Sequence, residues 1–425
     1  MPLLSKLEKY LFYLLLISIP FQTRKILWMQ EWNFSEWQAI SLYGTDILLG
    51  ILFILWALST SDVKIRTSDV KIYDYFLLGF VGMAAISLKN TTSIYLSLFN
   101  LVKLIEFALF YFYLKSYALP KFGYLSALKA VVIGGTFQAI VAIIQFIKQS
   151  DLGLRLLGEP VLNYHLNGIA SFYNLAGERV IRAYGTTPHS NILAAYLFLS
   201  IFSFYYLWIY ERLDKKYFIA YGLMLLAFFF TFSRIVIGVL LLNFIIRIIL
   251  IRFKFKKDYW NKKLAWLFLV TLAVVLLFSV FYWSDIVSRV ALNAGDDAVQ
   301  MRIFYNKESL ESLDWFGVGI GNFVNWLMGR DLNIARYLYQ PVHNIYLLIY
   351  SETGVAGISV FALFLVFLIR DYTLRTRLRT LRQYSLLLVF SSFLFLGLFD
   401  HFLWTLQQGR FILWGAIALL ASDVV

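Results

Sequence analysis

Residues 340–350 read Gln340-Pro341-Val342-His343-Asn344-Ile345-Tyr346-Leu347-Leu348-Ile349-Tyr350, and from there to Ile369 the only charge is Glu352. An apolar run of this length reads as a membrane-spanning helix, since about 20 apolar residues cross a bilayer core. Pro341 marks its entry, and the polar stretch 284–342 precedes it. A long polar segment that delivers a histidine to the mouth of a membrane helix is the first place to look for chemistry.

The rest of the chain repeats the apolar pattern. Of 425 residues, 60% are hydrophobic, 19% aromatic and only 15% charged, with a mean hydropathy of +0.72. Soluble domains are about half apolar and about a quarter charged. Long unbroken apolar runs, rather than weakly alternating segments of about 10 residues, exclude a barrel. We therefore expect one polytopic, all-α integral membrane domain over residues 1–425. About twelve spans are expected, near 7–28, 37–58, 73–88, 93–114, 125–147, 189–210, 217–232, 235–251, 264–283, 343–369, 385–403 and 408–421. The first span lacks a small-residue cleavage site after Pro20 and reads as uncleaved. There is no cysteine, so disulfides, thiolate metal sites and a cysteine nucleophile are excluded.

The net charge of +13 does not point to nucleic acid, because Lys and Arg fall in short loops between apolar runs, where they set orientation. Loops holding Lys71; Lys115 and Lys121; Arg212, Lys215 and Lys216; Arg252 to Lys263; and Arg370 to Arg382 are assigned to the cytoplasm with both termini. The loops 148–188 and 284–342 are then extracytoplasmic, the larger between spans nine and ten. A tandem heptad, Ser61 to Thr67 then Ser68 to Ile72, reads as a small duplication in a tolerant loop.

Three arginines of the outer side draw attention. Arg182 lies in the segment that leads through Pro188, His189, Ser190 and Asn191 into a span; His189 and Asn191 read equally as helix caps or as site residues. Arg234 stands in a tight turn where topology does not call for it. Arg302 lies in an amphipathic stretch whose Val299, Ile303, Leu310 and Leu313 form one apolar stripe suited to the membrane surface. Guanidinium groups bind phosphate oxygens in pairs and stay charged, so such a cluster suits a diphosphate. Gly317-Val318-Gly319-Ile320-Gly321 lacks the strand–turn–helix frame of a nucleotide loop and reads as a turn needing positive φ.

His343 is the natural proton acceptor for a hydroxyl, with Asn344 beside it and Tyr346 and Tyr350 at helical spacing beyond. No second ligand lies three or four residues away, so a helical metal site is not expected. Glu352 lies deep in its span and needs a partner. Phe399-Asp400-His401-Phe402 reads either as lining of the same cavity or as a tight turn.

This pattern resembles the O-antigen ligase family, polytopic enzymes that move a glycan from undecaprenyl diphosphate to an acceptor outside the inner membrane. The resemblance covers the span topology. It is most specific at His343-Asn344, ten residues (Asn344 through Thr353) before Gly354, at Arg302 followed by Trp315 to Phe323, at Ser233-Arg234 with Gly238 in place of the usual leucine, and at Arg182 through Leu193, with Ser190 where proline is common. It implies a metal-independent membrane glycosyltransferase with no cofactor, sited in the inner (plasma) membrane and working on its outer face. Arg234, Arg302 and Arg182 would hold the donor diphosphate, and His343 would activate the acceptor hydroxyl. His189, Asn191, Asn344 and Tyr346 would support them. The implied partners are the polyprenyl-diphosphate-linked glycan, a lipid A core or other glycan or protein acceptor, and membrane lipid. A polymerase of the same superfamily and a lipid-linked oligosaccharide transporter are the rival readings.

Overall fold

The computed structural model describes residues 2–31, 34–59, 70–211, 213–255, 262–290, 297–330, 332 and 334–423. Residues 61–69 of the tandem heptad and Arg212, Lys256 and Lys257 of the basic loops fall outside them. The described helices are α1 (Pro2–Ser18), α2 (Gly44–Ser59), α3 (Ile72–Ser87), α4 (Ile94–Tyr113), α5 (Leu119–Phe122), α6 (Tyr124–Lys148), α7 (Ser190–Tyr210), α8 (Phe218–Phe230) and α9 (Arg234–Ile249). They continue as α10 (Lys262–Phe281), α11 (Trp283–Val290), α12 (Asp297–Glu311), α13 (Phe323–Met328), α14 (Ile345–Thr376), α15 (Leu381–Leu396), α16 (Phe402–Thr405) and α17 (Gln407–Ala421).

Seven helices among the described residues are long and apolar enough to cross a membrane: Ile72–Asn90, Ile94–Phe122, Tyr124–Lys148, Ser190–Tyr210, Arg234–Lys254, Lys262–Phe281 and Ile345–Thr376. Gly44–Ser59 and Leu381–Leu396 are apolar but shorter. The chain is thus an all-α membrane protein, and the remaining expected spans are helices of fewer than 18 residues; α8, for instance, has 13.

Helix α1 stops at Ser18 rather than near residue 28. Pro20 has no amide hydrogen to continue the ladder and disfavours helix at the residue before it. The chain instead forms an antiparallel hairpin of β1 (Arg24–Met29) and β2 (Ala39–Tyr43). A second small hairpin, β3 (Ser171–Tyr173) and β4 (Arg179–Ile181), lies in the loop before α7.

Helix α7 forms the centre of the bundle. Most of its residues are buried, and it packs against α6, α8 and α17. One deep charge is neutralised locally: Lys103 Nζ lies 2.6 Å from Asp46 and 2.9 Å from Glu106. Glu352 borders a small chamber of about 80 Å³ with Lys103, Asn100 and Arg410.

Helix α14 is broken at Gly354, whose φ of 73° and ψ of −176° are not helical. The glycine run fills the break. Val318 and Gly319 donate backbone hydrogen bonds to Ser351 and Glu352 carbonyls at 2.8 and 3.1 Å, and Val355 and Ala356 donate to Asp314 and Trp315 carbonyls at 3.2 Å each. Backbone groups freed by a break inside a membrane need such partners. The glycines permit the approach: Gly317, Gly319 and Gly321 have φ of +72°, +100° and +69°, and a Cβ on Gly317 would lie 2.4 Å from the Glu352 carbonyl carbon. The expected positive-φ turn is present, and it ties the polar loop to the helix that follows His343.

Candidate functional site

A cavity of about 910 Å³ opens beside the entrances of α7, α9 and α14. Arg182, His189, Asn191, Arg234, Arg302 and His343 all line it, and so do Arg289, Asp400 and His401. Residues 161 positions apart in the chain thus share one space, from Arg182 to His343.

The wall at α7 is built by hydrogen bonds. His189 caps the helix, its Nδ1 accepting from the Asn191 amide at 3.1 Å. Asn191 Oδ1 accepts from Arg182 Nη2 at 2.7 Å and from Ser233 Oγ at 3.0 Å. Arg182 Nε donates to the Thr231 carbonyl at 2.5 Å. Arg182 is only 5% exposed, and burial, reinforced by the nearby Arg289 charge, pushes its guanidinium down to about 9. It works as a strut between the α7 entrance and the α8–α9 turn while adding charge to the cavity. His189 is both cap and lining, so its two readings from sequence coexist.

Arg234 opens α9, with Nη1 3.4 Å from the Arg289 carbonyl. Arg302 projects from α12 into the cavity. Of the expected apolar stripe, Ile303, Leu310 and Leu313 are more than half exposed, whereas Val299 lines the cavity with Arg302, and Tyr305 and Ser309 are buried against the bundle. Arg289, on α11, adds a fourth guanidinium that a reading by motif passed over, because one arginine in a polar loop carries no signal until the fold places it.

His343 stands just before α14. Its neighbour Asn344 caps that helix, accepting from the Tyr346 and Leu347 amides at 2.9 and 3.2 Å. Tyr346 turns away and donates to the Leu394 carbonyl at 2.7 Å. Neither Asn344 nor Tyr346 belongs to the cavity lining; both position the helix. The His343 ring lies 4.8 Å from the His401 ring and 5.9 Å from that of Tyr305. Its Nδ1 is buried without a hydrogen-bond partner and faces Asp400 Oδ1 at 3.9 Å, too far for a hydrogen bond. The Phe399–Phe402 segment therefore lines the cavity while also forming a turn.

The Asp400 carboxyl is held well below the usual range: burial pushes it up, and the surrounding imidazoles of His343, His401 and His189 more than offset that. His401 is 5% exposed; burial, then the adjacent His343, push it down to about 3. Burial and Arg182 push His189 down to about 4. Both rings stay neutral near pH 7.

His343, Asp400 and His401 bring one donor atom each within 4.8 Å of one another. Spacing along one helix could not reveal this set, because its members come from two segments. Their other contacts weigh against a cation: Asp400 Oδ2 accepts from Asn191 Nδ2 at 2.9 Å, His401 Nδ1 lies 2.8 Å from Thr405 Oγ1, and four guanidinium groups line the same cavity. The arrangement is suited to an anion facing an imidazole base.

No curated protein matches the chain. The family model described as O-antigen ligase matches residues 219–362, from α8 through the break in α14, a stretch that contains Arg234, Arg289, Arg302, the glycine run and His343. Across that stretch the chain is similar to the O-antigen ligase family.

Proposed function

We propose that the protein transfers a glycan from a polyprenyl diphosphate, of the undecaprenyl type, to an acceptor hydroxyl at the outer face of the cell's inner (plasma) membrane. The observation that carries this reading is the single cavity in which Arg234, Arg289 and Arg302 face His343 and Asp400. Arg234 and Arg302 grip the diphosphate, and Arg182 and Arg289 add positive charge around it. Their forks match phosphate oxygens and stabilise the negative charge that grows on the leaving group.

In the same cavity His343 receives the proton of the acceptor hydroxyl as its oxygen attacks the anomeric carbon. The bond from that carbon to the diphosphate oxygen breaks, and polyprenyl diphosphate leaves. With a proton on Nδ1, facing Asp400, Nε2 is the basic nitrogen, and the carboxylate stabilises the imidazolium that forms. No step in this scheme requires a metal ion.

The test is a reconstituted assay with a diphosphate-linked lipid glycan, with and without a separate acceptor, comparing wild type and His343→Ala. Transfer of intact glycan to the acceptor, lost in the variant, supports the ligase. Lengthening of the lipid-linked glycan without an acceptor identifies a polymerase with the same site. Donor binding without turnover in either arm would reject the transferase reading in favour of transport.

A further inference from the structure

Helix α9 begins with Arg234 in the catalytic cavity and carries Arg247 thirteen residues further on, about 20 Å along the axis at a rise of 1.5 Å per residue. Helix α15 runs in the other direction: Leu396 at its end lines the catalytic cavity, and Ser385 near its start meets Arg247. Arg247 therefore sits at the far end of the bundle and takes no part in the chemistry above.

This arginine is 2% exposed. Among the described residues no carboxylate neutralises it. Nη1 donates to Ser385 Oγ at 2.5 Å and Nη2 to the Ser385 carbonyl at 3.5 Å, while Nε is buried without a partner. The Phe202 and Tyr205 rings each lie 4.6 Å from its Cζ. Cation–π contacts offset part of the desolvation of a guanidinium, but they supply no opposite charge.

A pocket of about 40 Å³ adjoins it, with apolar walls from Leu128, Leu199, Leu386, Val389 and Leu419 and with Ser203 and Tyr206 also in its lining. On the other side of Tyr206 stands Arg382, at the start of α15, with its Cζ 5.3 Å from that ring. Arg382 donates to the Tyr124 hydroxyl, and its Nε too is buried without a partner. Arg247 thus keeps an unused donor beside an apolar slot in a membrane protein, and Arg382 adds a second guanidinium beyond Tyr206.

We propose that this pocket binds the phosphate group of an anionic phospholipid, from the leaflet opposite the catalytic cavity. Arg247 takes the phosphate oxygens, and Arg382 adds positive charge from beyond Tyr206. The volume suits one phosphate group, and the leucine and valine walls accept the adjoining acyl chain. Inorganic phosphate shares the charge chemistry but has nothing to place against those walls.

The experiment uses the delipidated full-length protein in detergent, read by native mass spectrometry and thermal denaturation. Phosphatidylglycerol, phosphatidylcholine and inorganic phosphate are added separately to wild type, Arg247→Met and Arg382→Gln. One retained phosphatidylglycerol per chain is expected, with at least tenfold weaker retention of phosphatidylcholine, a higher melting temperature, and at least tenfold loss of retention in each variant. Arg382 is partly exposed, so Arg382→Gln keeps the test open if Arg247→Met does not fold. Equal retention of the two lipids, no retention by wild type, or undiminished retention in folded variants overturns the proposal. Equal stabilisation by inorganic phosphate overturns the lipid assignment and leaves a free-anion site.

Discussion

Asn191 Nδ2 donates to Asp400 Oδ2 at 2.9 Å, joining the entrance of α7 to the turn before α16 across 209 positions of chain. The bond fixes the carboxylate beside His343, and the same asparagine holds Arg182 and Ser233 through its other atom. Asp400→Asn should keep the turn and remove the charge. Turnover is then expected to fall by about tenfold, near 1.4 kcal/mol of barrier, against about 10²–10⁴ for His343→Ala, the usual share of a general base. Donor binding should persist in both. A fully active Asp400→Asn enzyme would end the role given to the carboxylate.

Arg302→Lys and Arg234→Lys retain charge but lose the planar fork. A hydrogen bond to a charged group contributes about 1.5–3 kcal/mol, so each change should weaken donor binding by about 10- to 100-fold. Titration with the lipid diphosphate measures this directly, and unchanged affinity in both variants would remove the diphosphate role.

Gly354→Ala places a Cβ 2.3 Å from the Trp315 carbonyl carbon at a φ of +73°. Strain in that region alone costs about 1–3 kcal/mol, and the clash adds to it. The docked loop 314–319 should come away from α14, with lower melting temperature and lost transfer. Gly82→Ala, within α3 and with nothing within 4 Å, is the control. It should be neutral or stabilising by up to about 1 kcal/mol. Equal behaviour of the two variants would show that the break does not matter.

Acidification should destabilise the fold before it protonates ordinary carboxylates. His401 and His189, held down at about 3 and about 4, stay neutral in the folded protein while the unfolded chain takes up protons below about 6.5. Stability then falls from about pH 6.5 toward pH 4, by up to about 1.4 kcal/mol per unit for each ring. The lowered Asp400 acts elsewhere: its contribution is present above about pH 4 and is lost only below it. Thermal melts across pH 4–8 test this, and His401→Gln should flatten the slope. A melting temperature constant from pH 7 to pH 4.5 would contradict it.

Chelation should leave transfer unchanged, because the proposed scheme uses His343, Asp400 and His401 as base, carboxylate and neutral neighbour. Loss of activity on chelation, restored by a divalent ion and abolished in His401→Gln, would instead make the trio a metal site.

The sequence by itself determined the membrane class, since apolar runs of spanning length have no other stable solvent. It also marked His343, Arg302 and Arg234 through their spacing to the glycine run and helix starts, and the glycines themselves announced positive φ. Tertiary structure alone decided which charges meet. Arg289 carries no local periodicity, and Asp400 and His401 read equally as cavity lining or as a turn, so their place in the cavity emerged only when α7, α11, α14 and the turn before α16 converged. It likewise set Tyr346 apart from the residues lining the cavity and spent Arg182, which does line it, largely on hydrogen bonds within the scaffold. Helix ends moved for the same reason: Pro20 halted α1 early, and Gly354 broke α14 where backbone from a distant loop could replace the missing bonds. Local sequence sets what a segment can form, but burial and pairing between segments decide which of its polar atoms remain for chemistry.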